Sequence, residues 1–157
     1  MPVIDFVTAI NAPLEICFDL ARDIDLHVES TPGTEERAVD GVTSGFIGLG
    51  EEVTWEATHF GIRQRLASRI TAFDRPYHFR DSLVRGAFRR FDHDHFFSSQ
   101  GGTTMMRDVF EYVSPFGWVG RLADALILRS YMAGLLTRRA KIIKMAAEAV
   151  ASKSNGP

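Results

Sequence analysis

The sequence predicts an α+β domain in which a curved antiparallel sheet of six or seven strands wraps around a long C-terminal helix, with two short helices after the first strand. Three observations carry this reading. Period-2 alternation runs through most of residues 52–113, in short segments separated by turn residues. Residues 118–151 hold no proline and, beyond Gly120 in the first turn, only Gly134 as an internal breaker. The 157 residues, 45% hydrophobic and 24% charged, suit one domain that buries roughly two-thirds of its unfolded surface.

The elements follow in order. Val3 to Ile10 is β-branched and aromatic and stops at Asn11-Ala12-Pro13, a strand ended by a turn. Pro13 suits the first turn of a helix, with Asn11 or Ala12 near the cap, and Leu14, Cys17, Phe18 and Ala21 recur at helical spacing. A second short helix, Ile24 to Glu29, ends before Pro32-Gly33. In Glu52 to Phe60 the residues Val53, Trp55, Ala57 and His59 share a face, and Ile62 to Phe73 alternates again. Phe79 to Leu83, Phe88 to Ser98 and Thr103 to Val113 continue a meander, split by Asp74-Arg75-Pro76, Arg85-Gly86 and Ser98 to Gly102. Tight turns between short strands mean antiparallel pairing. Pro115-Phe116-Gly117 closes the sheet. Trp118 to Ala151 is then a helix of about 34 residues, roughly 50 Å long, which must lie across something wide.

Bulk properties exclude several classes. With 18 basic and 20 acidic residues the formal charge is −2, which gives no argument for nucleic acid or an anionic membrane surface. The single cysteine, Cys17, forms no internal disulfide and suits a reducing compartment. Met1 to Asn11 lacks a basic stretch followed by an apolar one, and Ala125 to Leu136 is too short to span a bilayer and is interrupted by Arg129. A cytoplasmic protein without integral membrane association is the expectation. The Gly-rich spots Gly41 to Gly45 and Gly48 to Gly50 lack the Lys-Ser/Thr ending of a phosphate loop and read as a mobile loop over a cavity entrance. No organic-cofactor fingerprint is present.

Side-chain direction locates the candidate site. Alternation puts Phe91, His93, His95 and Phe97 on the inner face, and Arg90, Asp92, Asp94 and Ser98 on the outer one. With Ser98 to Gly102 as the hairpin loop, His93 falls opposite Asp108 and His95 opposite Met106, so Met106, Asp108, Phe110 and Tyr112 also face inward. Asp81 shares a face with Phe79 and Leu83, within a strand or two of His93. On the long helix Leu122, Leu126, Arg129, Ala133, Leu136 and Ala140 form one stripe. An arginine buried in its middle needs Asp81, Asp108 or a ligand anion. Leu128, Tyr131, Leu135 and Ile142 lie on the opposite face, where they cover a loop or form a homodimer contact.

These residues support several readings. His93-Asp94-His95 could hold a metal, but a third ligand has to be assumed, and the expectation is no metal. His93 with Asp108 could act as an acid–base pair, or the same groups could anchor a ligand or close the polar end of a cavity. Trp55 and His59 could line a pocket mouth; Phe91, Phe97, Met105, Met106, Phe110 and Tyr112 are either ligand walls or core. His27 and His78 are expected on the surface, Cys17 as an inert packed thiol, and Arg89-Arg90, Arg138-Arg139, Lys141 and Lys144 as solvated positions.

A family likeness rests on Gly48-Leu49-Gly50, Val53-Thr54-Trp55, His59-Phe60-Gly61, Phe79-Arg80-Asp81, Gly86-Ala87-Phe88, His93 to Phe97, Gly102-Thr103, Asp108, Tyr112 and Pro115-Phe116-Gly117. In number and order these segments resemble the SRPBCC, START-like superfamily, and within it the bacterial "polyketide cyclase/dehydrase"-type ligand-binding members. The resemblance implies one START-like domain over residues 1–151, a helix-grip fold and a hydrophobic tunnel between sheet and helix; the low-complexity run at 152–157 reads as a frayed tail. The chain departs from that branch at Ser82-Leu83, where the branch has a Glu-Gln pair, and at Ala87, where it has proline. Fold does not choose the chemistry. The leading expectation is a small hydrophobic or aromatic molecule, lipid-, polyketide- or quinone-like, held by Trp55, His59, Asp81, Phe91, His93, His95, Met106, Asp108, Phe110, Tyr112 and Arg129. The alternatives are a cyclase, dehydratase or hydrolase using His93 and Asp108, with Arg129 or Tyr112 stabilising an enolate, and an interaction domain with a closed core.

Overall fold

A computed structural model of the chain describes residues 1–114 and 127–156. In order the elements are β1 (Val3–Ile10), α1 (Leu14–Ala21), α2 (Ile24–Glu29), a 3-10 turn (Pro32–Thr34), β2 (Arg37–Gly41), β3 (Glu52–His59), β4 (Ile62–Asp74), β5 (His78–Arg85), β6 (Arg90–Gln100), β7 (Thr103–Val113) and α3 (Arg129–Ser154). The seven strands make one antiparallel sheet in the order β1-β7-β6-β5-β4-β3-β2. Strands β2 to β7 form the expected meander and β1 closes onto β7, which leaves β1 and β2 as the two edges. Irregular pairings at Ala67/Ser68 and Ile70/Ala72 between β4 and β5, and at Ala38/Asp40 on β2, give the sheet its bends. The fold class read from the sequence is the one observed.

The closing glycines Gly101 and Gly102, at φ of 58° and 86°, make a two-residue hairpin in which Gln100 pairs with Thr103. The loop expected over Ser98 to Gly102 is therefore shorter, and the register moves by two residues. His95, not His93, stands opposite Asp108; His93 faces Phe110, and Phe97 faces Met106. A slip of two leaves every side chain on its face, so the inner set is unchanged and only its partners differ.

Helix α3 lies in the concavity of the sheet. The portion of the expected helix from Trp118 to Leu126, and the Pro115-Phe116-Gly117 closure, lie outside the described residues. Leu136, Ala140, Ile143, Ala147 and Ala151 form the buried stripe, and its small residues let the helix approach α1 and β1 closely. Against them α1 presents Cys17, Phe18 and Ala21, all fully buried. Phe18 is the hub, with ring edges or faces of Phe73, Phe79 and Phe97 each centred 5.3 Å away. A second cluster of Ile4, Phe91, Phe110, Tyr112 and Leu136 fills the other end of the sheet–helix interface.

One expectation about the helix is corrected. Arg129 shares the angular position of Leu136 but is exposed, its Nη2 donating to Val3 O at 3.3 Å. It stands at the first turn of α3, where the side chain reaches outward along the edge of β1. On the opposite face, expected to cover a loop or form a homodimer contact, Tyr131 covers the turn between β3 and β4: its ring packs on Phe60 and its hydroxyl lies 2.7 Å from His59 Nδ1. Leu128 packs on the second cluster. The loop over residues 42–47 is tied down as well. Asp25 accepts from Ser44 Oγ and Gly45 N, and Ile47 N donates to Arg22 O. No helix among the described residues is long and apolar enough to cross a membrane.

Candidate functional site

Three adjacent strands bring four ionisable side chains to the inner face. Asp81 of β5 pairs across to His93 of β6, and His95 of β6 pairs across to Asp108 of β7. The two imidazoles lie against each other, ring centres 3.9 Å apart and planes 39° off parallel. Asp108 Oδ1 lies 3.1 Å from His93 Nε2 and 2.9 Å from His95 Nδ1. On the other side Asp81 Oδ2 lies 3.3 Å from His95 Nε2 and 3.9 Å from His93 Nδ1. Each carboxylate thus bridges both rings, one from the front and one from the back.

All four are removed from solvent, Asp81 least so. Burial works against ionising Asp108, but hydrogen bonding and positive charge from His93 and His95 hold its carboxyl far below the usual range. Asp81 is held down against burial in the same way by His95 and His93, and by Arg139. The two histidines split. Burial and the neighbouring His95 push His93 down, whereas the two carboxylates outweigh burial and push His95 up. Of the two rings, His95 is therefore the more readily protonated. The cluster is not self-sufficient: His95 Nδ1 lies out of line for a directed hydrogen bond to Asp108, and Asp108 Oδ2 has no hydrogen-bond partner among the described residues.

Asp81 also lines a small chamber between sheet and helices, about 40 Å³ in volume. Its apolar walls include Ile24, Trp55, Ile70 and Phe79, and its polar groups include His27, Asp81 and Arg139. His27 and Arg139 are the residues that sequence reasoning misplaced on the surface. His27 stacks on Trp55 with ring centres 4.0 Å apart and contacts Glu36 Oε1 through Nε2 at 2.5 Å. Burial and the charge of Arg139 push His27 down, outweighing Glu36. The signal available for His27 was Ile24 three residues earlier, on the same face of a helix. Arg139 Nη2 donates to Ala21 O at 3.0 Å at the C-terminus of α1, and Arg139 takes the inward place expected of Arg129. It flanks the buried stripe rather than lying on it, and its length carries the guanidinium inward.

Among the other candidates, Trp55 borders the chamber and His59 is paired with Tyr131. Phe97 and Met106 belong to the main core, and Phe91, Phe110 and Tyr112 to the second cluster; none of the five borders the chamber. His78, expected to be exposed, is half-buried on the outer face, 2.6 Å from Asp94 Oδ1. Cys17 is a packed thiol, pushed up by burial. The space that Asp81 borders between sheet and helices has room for a few waters.

No family model and no curated protein sequence matches the chain. Solved structures do match. A protein of Thermus thermophilus superposes with a TM-score of 0.77 at 19% identity, over 95% of this chain and 99% of its own. Major latex-like protein 151 of Panax ginseng gives 0.68 at 14% identity, over 93% and 97%. Norcoclaurine synthase from Thalictrum flavum, in complex with dopamine and hydroxybenzaldehyde, gives 0.68 at 13% identity, over 92% and 85%. At these identities the likeness is one of fold. The chain has the helix-grip fold that a resemblance to the SRPBCC, START-like superfamily implies.

Proposed function

We propose that this chain binds a small hydrophobic or aromatic molecule, lipid-, polyketide- or quinone-like, between the sheet and α3, with the ligand's polar end at Asp81, His27 and Arg139. One observation carries the reading: Asp81 of β5, His27 of α2 and Arg139 of α3 converge on a chamber that has Ile24, Trp55, Ile70 and Phe79 among its walls, with Arg22, Asp23 and Ser68 also lining it. The same fold holds two small aromatic molecules in norcoclaurine synthase. A chamber of about 40 Å³ takes a polar head and not a ligand body. The reading therefore requires α3 to part from the sheet, and Phe91, Phe110 and Tyr112 to become walls as it does. Native mass spectrometry of the protein purified from its own host, followed by denaturing extraction, tests this. A stoichiometric small apolar molecule, reduced at least tenfold in occupancy by Arg139→Gln, is the expected result. The bare chain mass, with no change in tryptophan emission on adding an anilinonaphthalene sulfonate probe, would favour the interaction domain with a closed core.

An enzymatic reading is favoured by the His93 Nε2 to Asp108 Oδ1 contact of 3.1 Å on an apolar face. In it His93 is the general acid or base and Asp108 orients it. The nearby arginine is then Arg139, since Arg129 is on the surface. A pH–rate profile with the extracted compound as substrate decides: a profile indifferent to His93→Ala removes His93 from the chemistry.

A further inference from the structure

The histidines of β6 lack a third ligand in the sequence, and the fold supplies one. Among the described residues Asp81, His93 and His95 are the one group of three whose donor atoms all lie within 4.8 Å of one another. Donors held by one tetrahedral ion at about 2.0–2.1 Å stand roughly 3.3 Å apart. Asp81 Oδ2 and His95 Nε2, at 3.3 Å, already have that spacing, and His93 Nδ1, at 3.9 Å from the same oxygen, is roughly half an ångström beyond it. We propose that Asp81 Oδ2, His93 Nδ1 and His95 Nε2 form a site for one divalent transition-metal ion of the zinc type, with Asp108 as the residue that positions both imidazoles.

The back of the cluster supports this. A metal-bound imidazole almost always places its remaining N–H against a carboxylate or carbonyl, which sets the tautomer and leaves the other nitrogen bare. Asp108 Oδ1 hydrogen-bonds the back nitrogen of His93, Nε2, and lies 2.9 Å from that of His95, Nδ1, which a turn of the ring would bring into line. With both protons moved to that side, both nitrogens facing Asp81 are free to ligate, the ion replacing the His95 Nε2–Asp81 Oδ2 hydrogen bond. Charge balance points the same way. Two carboxylates with two neutral imidazoles carry two negative charges in a buried place, and a divalent ion cancels them. Uncompensated carboxylates there are costly. Two nitrogens and one oxygen suit zinc, cobalt or ferrous iron, whereas calcium and magnesium prefer oxygen alone. Beside Asp81, the one of the three ligands that borders the chamber, there is space for water: the volume of about 40 Å³ exceeds the roughly 10–15 Å³ that one molecule requires. The ion needs no organic ligand in the chamber, so this site stands or falls separately from the binding proposed above.

The test uses the whole chain, stripped with a chelator and titrated with Zn²⁺ by calorimetry and with Co²⁺ by visible absorption. One ion per chain, with cobalt bands of a low-coordinate nitrogen–oxygen site, is the expected result. Asp81→Asn and His93→Ala each weaken uptake by at least about 100-fold, and Asp108→Asn by about 10- to 100-fold with an altered cobalt spectrum. His78→Ala, on the outer face, leaves uptake unchanged. If a variant unfolds, imidazole NMR of the unaltered protein replaces it: zinc must shift the His93 and His95 rings and leave that of His78. No stoichiometric uptake, uptake unaffected by Asp81→Asn in a folded protein, or zinc shifts confined to His27, His59 or His78 overturns the proposal.

Discussion

The sheet carries carboxylates on both faces, and the two settings contrast. On the outer face Glu56 meets Arg37 and Arg63 through Oε1 and Arg65 through Oε2, so both its oxygens are occupied. Its arginines are largely in water, where their unused N–H groups are solvated. Asp94 is served likewise by Arg80 and His78. On the inner face Asp108 and Asp81 share two imidazoles, no arginine among the described residues bonds to them directly, and Asp108 Oδ2 is left without a partner among those residues. The outer clusters are complete and, although Glu56 and Asp94 are themselves covered, their arginines reach into water, which keeps such pairs weak. The inner one is incomplete and expensive to break. A buried, partly satisfied network on an apolar face is hard to explain as a stabilising device; it is the part of the molecule shaped for something else.

This contrast can be broken by substitution. The largest effect is expected of Asp108→Ala, which strands His93 and His95 and should cost about 3–5 kcal/mol of unfolding free energy by denaturant titration. A loss below about 1 kcal/mol would erase the distinction between the faces. Replacing the whole quartet with apolar residues of similar volume (Asp81→Leu, His93→Phe, His95→Leu and Asp108→Leu) should leave stability unchanged or raise it by about 1–4 kcal/mol, because no charge is left buried. A strongly destabilised quadruple variant would mean that the quartet holds the fold together after all. Asp94→Ala should cost about 1 kcal/mol or less, and the loss should shrink in high salt. A larger loss, insensitive to salt, would place Asp94 with the inner groups.

The outer face also gives a pH signature. Arg37, Arg65 and Arg63 hold Glu56 down to about 2, against an ordinary value of 4.5. A carboxyl lowered by folding contributes stability above its unfolded pKa and loses that contribution as pH falls to the folded one. Glu56→Gln should therefore be less stable than the unaltered protein above pH 4.5, with the difference closing as pH falls toward 2, followed by thermal unfolding. A difference that is constant with pH would show that packing, and not charge, is what Glu56 supplies.

Some of this was legible in the chain. Period-2 alternation put His93, His95, Asp81 and Asp108 inward because a strand's side-chain direction is a local property, unchanged by an error of two in register. For the same reason the Asp92 and Asp94 positions were correctly read as outward. Turn residues and the unbroken run before Ala151 announced the meander and the gripped helix. His27 and Arg139 were missed because a half-buried helix flank has no sharp period, and long side chains reach around it.

The sequence by itself determined the order of elements, the inner and outer faces, and the presence of two histidines and two aspartates among apolar neighbours. Only the tertiary structure decided that His95 opposes Asp108, that both carboxylates bridge both rings, that Arg139 rather than Arg129 turns inward, and that the space beside Asp81 is small. The physical reason is one of range. Facing follows from the dihedral angles of each strand, whereas partners, spacings and enclosed volume depend on how segments distant along the chain come to lie against one another.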